Sequence, residues 1–126
     1  MGNDNVATDD QRLVSRFFEA MQAAGTKEHE MMQLFAEDAV YVEPFTGTAR
    51  EHVGRTAIRE AMVAGWRHPL PEMRLEVERV ATDGKTIVAD WVCHSPGLPN
   101  GRGAGTNEFT LRAGLIVRLE TRLRVG

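Results

Sequence analysis

The sequence predicts an α+β fold in which three N-terminal helices pack on one face of a curved, mostly antiparallel sheet. Three observations predict it. Up to Trp66 the apolar residues recur mainly at three- and four-residue intervals; from Met73 they alternate with charged ones; and Asp83-Gly84 and Ala113-Gly114 stand as tight turns between the alternating runs. A length of 126 residues fits one domain, read as residues 9–126 behind a disordered or extended tail at 1–8.

Thr8-Asp9-Asp10-Gln11 reads as a capping box, so the first helix is expected to begin near Asp9. Leu13, Val14, Phe17, Phe18 and Met21 form its apolar stripe, and Gly25 is a natural left-handed stop. Thr26 is placed to cap a short second helix, with Met31, Leu34 and Phe35 on one face and Glu28 and Glu30 at the positive end of its dipole. Ala39 to Glu43 is β-branched and aromatic, a brief strand ended by Pro44. A polar loop from Thr46 to Val53 leads to Gly54 and a third helix, in which Ile58, Met62 and Trp66 fall four apart; Pro69 and Pro71 forbid its continuation.

Met73, Leu75 and Val77 then alternate with Arg74, Glu76 and Glu78 in a strand that turns at Asp83-Gly84 and returns over Thr86 to His94. Ser95 to Gly105 is rich in Gly and Pro and reads as a connection, its glycines as loop glycines, before strands from Thr106 to Arg112 and from Leu115 onward. In the last strand Leu115, Val117, Leu119, Thr121 and Leu123 are assigned to the packed face, and Ile116, Arg118, Glu120, Arg122 and Arg124 to the charged one. Helices held to one side of such a sheet leave a conical space, a common seat for a small-molecule pocket.

With 42% hydrophobic and 26% charged residues the composition is that of an ordinary globular protein, and no apolar run approaches membrane-spanning length. A net charge of -3 disfavours a nucleic-acid partner, because binding phosphates needs a basic surface. The single Cys93 forms no intrachain disulfide, the N-terminus is acidic and polar rather than laid out as a signal, and Val6 breaks the myristoylation pattern. A soluble, cytoplasmic protein is expected.

Several motifs fail on their context. Gly84-Lys85-Thr86 ends like a phosphate-binding loop, but Arg79 stands where the earlier Gly belongs and a strand follows. No helix follows Gly101, Gly103 and Gly105 to hold a pyrophosphate. His29-Glu30 is followed by Gln33 where a zinc helix has its second His, and His52, His68 and His94 have no partner at ligand spacing, so no metal site is expected. Cys93 reads as a small packed hydrophobe.

Glu43 is the informative residue, an acid closing an otherwise apolar strand and fixed by Pro44-Phe45. Facing a cavity, it would be desolvated and its pKa raised toward neutrality, which suits a general base. Facing solvent, it is an ordinary strand-end acid, and strand parity does not separate the two.

The stretches from Leu34 to Gly47 (Ala-Val-x-x-Glu-Pro-Phe at its centre), His52 to Met62 (with Gly-Arg-x-x-Ile), Gly84 to Val92 and Ala113 to Leu123 carry a resemblance. The chain is similar, over nearly its whole length, to the SnoaL-like and ketosteroid-isomerase branch of the nuclear-transport-factor-2-like superfamily. The resemblance implies a cystatin-like, nuclear-transport-factor-2-like architecture with a conical pocket. It places Glu43 where ketosteroid isomerases carry their proton-shuttling Asp. In those enzymes a Tyr on the first helix and a protonated Asp on a later strand donate hydrogen bonds to the dienolate oxygen. Phe17 and Phe109 stand at the matching positions, and phenyl rings donate no such bond, so the usual oxyanion hole is not expected. Losing one donor alone costs about 10²-fold or more in rate.

Replacement polar groups are sought elsewhere in the cone. Tyr41 shares the parity of Glu43, and the family-like register of the return strand turns Val88, Asp90, Val92 and His94 inward. Asp90 and His94 are equally readable as an outward strand residue and a hairpin-end surface His. Asn107 shares a face with Phe109 and Leu111, as an amide donor or as a strand-edge residue. Trp66 either closes the pocket rim or caps the core. Related limonene epoxide hydrolases set Asp, Arg and Asp around a water; Asp90 and Glu43 offer two acids, but no Arg is placed inside the cone.

The functional expectation is a small enzyme that binds an apolar carbonyl compound and moves a proton at carbon, isomerase- or cyclase-like, with Glu43 as base. Tyr41, His94, Asp90 or Asn107 would polarise the carbonyl, and Phe17, Phe18, Trp66, Phe109 and Leu119 would enclose the substrate. No cofactor is needed for moving a proton. A homodimer formed through the charged sheet face is the expected assembly. The alternatives are a non-catalytic binding or dimerisation module of the same fold and, less favoured, an epoxide hydrolase.

Overall fold

The computed structural model describes residues 2–124, with side chains from Asp9 onward. In chain order the elements are α1 (Gly2–Gln22), α2 (Glu28–Gln33), β1 (Phe35–Glu43), β2 (Arg50–Val53), α3 (Arg55–Trp66), β3 (Arg74–Asp83), β4 (Thr86–His94), a 3₁₀ turn (Pro99–Gly101), β5 (Arg102–Arg112) and β6 (Leu115–Arg124). The strands form a single sheet in the order β2-β1-β6-β5-β4-β3. Only β1 and β6 run parallel; the other neighbours are antiparallel.

Several boundaries differ from those the sequence suggests. Helix α1 begins at Gly2, well ahead of Asp9, and the side chain of Thr8 lies outside the described residues. Thr26 does not cap α2: its hydroxyl donates to the Ala23 carbonyl at 3.1 Å, and Lys27 holds the cap position. Phe35 leaves the second helix and opens β1, which is therefore longer than the expected strand. The segment read as a polar loop contains β2. Strand β5 starts at Arg102 and absorbs Gly103 and Gly105, which are strand glycines and not loop glycines.

The alternation in β4 is opposite to the family-like register. Ile87, Ala89, Trp91 and Cys93 are buried toward the helices, while Asp90 and His94 take the other face. The reason is hydrophobic patterning: the odd positions are wholly apolar and the even set includes an acid and a His, so one register buries no unpaired polar group. In β6 a register shift, with Thr110 opposite Arg118 and Leu111 opposite Ile116, inserts one extra residue. Ile116 is thereby buried and Leu115 exposed, reversing their expected sides, while Leu119 and Thr121 keep the packed face.

The space between helices and sheet is filled. The Phe17 ring meets Phe18 and Phe109 edge-on, with centroids 5.3 and 5.1 Å apart. Phe109 and Leu119 have 0% of their surface accessible. A side chain lining a void able to admit water would retain some accessible area, so the base of the expected conical pocket is core. Two surface clefts lie elsewhere, between α2 and α3 beside His29 and Arg55, and between α1 and α2 beside Arg16 and Lys27.

At Gly105 the packing leaves no room for a side chain. Trp91 lies opposite it on β4, the indole rests on the glycine backbone, and an added Cβ would also approach the Arg122 carbonyl to 2.8 Å. Substituting Gly105→Ala is expected to destabilise the fold by about 1–3 kcal/mol through overpacking, read as a lowered urea midpoint. An unchanged midpoint would show that the indole is free to move aside.

Candidate functional site

Pro44 ends β1 because it has no N–H for the ladder, and the turn closes with Gly47 N–H donating to the Pro44 carbonyl at 3.1 Å. The chain returns as β2, with Arg50 opposite Glu43 and His52 opposite Tyr41. Directly opposed residues share a sheet face, so this short hairpin brings an acid, a guanidinium, an imidazole and a phenol together.

Glu43 is 3% exposed and both its oxygens are held. Oε1 accepts the Phe45 N–H at 2.9 Å. Oε2 accepts His52 Nε2–H at 2.9 Å and the Arg50 guanidinium through Nε at 3.1 Å and Nη2 at 3.0 Å. Burial is the largest single influence on its acidity and acts to raise the pKa, but His52, the Phe45 N–H and Arg50 together outweigh it. The carboxyl is held below its ordinary range, which corrects the expectation of a base raised toward neutrality. The carboxylate is buried, as a cavity-facing acid would be, but it is paired and not stranded among apolar walls.

Tyr41 lies beside this cluster, its ring 5.9 Å from that of His52. Burial, and then the negative charge of Glu43, push its hydroxyl far above the ordinary tyrosine value, against a smaller opposing effect of its hydrogen bond with Thr121. Thr121 donates to Asn107 Oδ1 at 2.9 Å, and Trp91 Nε1–H donates to the same oxygen at 3.0 Å. A buried polar row thus crosses the helix-covered face from β1 through β6 and β5 to β4.

Of the expected site residues, Tyr41 and Glu43 come together, and Asn107 joins them through Thr121. Phe17, Phe18, Phe109 and Leu119 are core. Trp66 is half-buried beside Gly25, where an added Cβ would come within 3.6 Å of it, and among the described residues its Nε1 has no partner. Asp90 and His94 are on the opposite face, where Asp90 accepts from Thr106 at 2.8 Å and His94 pairs with Glu76 at 3.1 Å. Asp90 and Glu43 being on opposite faces, the two acids and an Arg do not surround one water. The residues missed from sequence are Arg50 and His52. Their one local signal was the Pro44-x-x-Gly47 turn just ahead of Arg50, which lets the chain double back on β1.

Beside the polar row runs an apolar one. Val77, Trp91, Gly105 and Leu123 are successive cross-strand partners, and Leu123 is 54% exposed, as is Phe45 just beyond Glu43. The open rim of the sheet therefore carries exposed apolar surface next to a buried carboxylate, Arg50 at 51% side-chain exposure and His52 at 17%.

Because folding lowers the pKa of Glu43, the folded state binds fewer protons there than the unfolded chain. Its stabilising contribution is present above the ordinary carboxylate value of about 4.3 and is lost as pH falls through the lowered folded value. Glu43→Gln is expected to cost about 1–3 kcal/mol at neutral pH and to flatten the loss of stability on acidification. Urea unfolding of both proteins across the acid range measures this; parallel curves would contradict it.

Against known proteins, the model of the SnoaL-like domain family matches residues 14–119. Among curated proteins nothing matches. A proposed polyketide cyclase from Sinorhizobium meliloti superposes with a TM-score of 0.72 at 24% identity, covering 88% of this chain and 94% of that one. A proposed ketosteroid isomerase from Kribbella flavida gives 0.73 at 19%, covering 94% and 80%. A de novo designed protein with a curved β-sheet gives 0.73 at 14%, covering 93% and 86%, so these likenesses carry architecture alone. The family model spans the third helix, the β1–β2 hairpin around Glu43 and most of the sheet, and on that match the chain belongs to the SnoaL-like domain family.

Proposed function

We propose that this protein binds a small apolar carbonyl compound at the rim of its helix-covered sheet face and moves a proton at carbon there, in an isomerase- or cyclase-like reaction centred on the Glu43 cluster. One observation carries the reading: a buried carboxylate held by Arg50 and His52 shares its sheet face with the exposed Leu123 and lies two residues from the exposed Phe45. The apolar row supplies the affinity for a hydrocarbon skeleton. The half-exposed guanidinium of Arg50 is free to meet an oxyanion developing on the carbonyl, the role left open by Phe17 and Phe109. Seating the ligand at the rim agrees with a filled cone. A proton passing between two carbons needs no cofactor in this scheme.

A second reading rests on the edge-on contact of Phe17 and Phe109, which plugs the place where a substrate would be enclosed. In it the domain binds or associates without chemistry. The open sheet face supports pairing of two copies in either reading. It carries alternating charges, among them Arg118 with Glu120 at 3.0 Å and Arg122 with Glu108 at 3.2 Å.

Incubation of the wild type with cyclohex-3-enone in deuterated water, followed by NMR, separates the readings. Deuterium entry or double-bond migration above the buffer rate supports proton transfer, and Arg50→Gln should slow it by about 10²-fold. Binding without exchange supports the second reading.

A further inference from the structure

We propose that His52 is the group that takes and returns the proton, and that Glu43 is a positioning residue that orients it. This deepens the proton-transfer reading and rests on it.

The argument is one of free valence. A carboxylate works as a base only through an oxygen lone pair that reaches the substrate carbon. At Glu43, Oε2 is occupied by His52 and by two nitrogens of Arg50, and Oε1 by the Phe45 N–H. The side chain is almost fully covered by the groups that bind it. His52 has the opposite profile. Its Nε2–H points at Glu43, its side chain keeps contact with solvent at 17%, and Nδ1 makes no hydrogen bond to any described side chain. Donation through Nε2 leaves the lone pair of the neutral ring on Nδ1, so the carboxylate selects the tautomer whose free nitrogen is a base. The unshared lone pair on Nδ1 is able to take a proton, whereas a carboxylate tied by four donor nitrogens has none turned outward.

The step balances without a further reactant. The C–H bond next to the carbonyl breaks and its electron pair moves into conjugation with the carbonyl, giving a dienolate whose oxygen faces Arg50. The proton binds Nδ1, and the resulting imidazolium is stabilised by the Glu43 carboxylate 2.9 Å from Nε2. Return of that proton to another carbon of the dienolate restores a neutral ring and completes the isomerisation. Tyr41, whose ring lies against that of His52, limits the tilt of the imidazole.

Two measurements test this. Nitrogen-15 NMR of the ring should show the proton of neutral His52 on Nε2 in the wild type and a mixture of tautomers in Glu43→Gln; a proton on Nδ1 in the wild type overturns the proposal. In the cyclohex-3-enone exchange assay, His52→Ala should lose about 10²-fold or more and recover part of it on addition of free imidazole. Imidazole should leave Glu43→Gln unimproved, since its own base is still in place. Wild-type exchange that survives His52→Ala sinks the assignment of His52 and leaves proton transfer by another group standing. Absence of wild-type exchange sinks the proton-transfer reading and this inference with it.

Discussion

An ionised carboxylate taken out of water costs several kcal/mol unless charges and donors replace its hydration. Glu43 is in that position, and the structure around it is arranged to meet the demand. The turn after Pro44 returns the chain in register, β2 supplies Arg50 and His52 opposite Glu43 and Tyr41, and the Phe45 N–H closes on the remaining oxygen. Remove the acid, and a four-residue polar strand with only one neighbour in the sheet has little reason to form. The hairpin and the candidate site are thus one construction: the same contacts that fold it create the acid–base cluster.

The rest of the helix-covered face divides the labour. At its base, aromatic and aliphatic side chains from α1, β5 and β6 interdigitate, with Phe109 and Leu119 wholly buried. Toward the rim, polar side chains from four strands satisfy one another in a row, with Asn107 Oδ1 accepting from both Trp91 and Thr121. A buried network of this kind is stabilising only when its members are paired. It also fixes where Trp91 can lie, since the indole must cover Gly105 and reach Asn107 at once. Of the apolar row that follows, the end members Val77 and Leu123 are left exposed, which gives the molecule an amphipathic border beside the polar row.

Most of the architecture was legible in the sequence, because it depends on period and punctuation. The stripe of α1, the third helix from Gly54, the Asp83-Gly84 hairpin and the span of β4 all follow from local pattern. What escaped depends on a partner elsewhere in the chain. Strand β2 has no apolar alternation to reveal it; it exists for what it contributes to Glu43. The extra residue in β6 that buries Ile116 is set by the pairing with β5 and by its N–H, which donates to the Leu34 carbonyl at 2.8 Å. The inward side of β4 follows its own apolar parity, against the register that the resemblance implies. At the site, the importance of position 43 could be read from its placement before Pro-Phe, but its acidity could not. Whether a buried acid is raised or lowered depends on its neighbours, and those were hidden in a segment that reads as a loop.

The two outer strands differ in how they meet the surroundings. β2 is short and presents Arg50 and Glu51, while β3 is ten residues long and carries a register shift between Val77 and Arg79. A long, flat border of unpaired backbone groups is a template onto which further chains add, and the kink at that shift bends the border out of the plane such stacking requires. The irregularity that interrupts the ladder of β3 therefore also guards the molecule against fibrous self-association, a service performed by the one part of that strand that looks like a flaw.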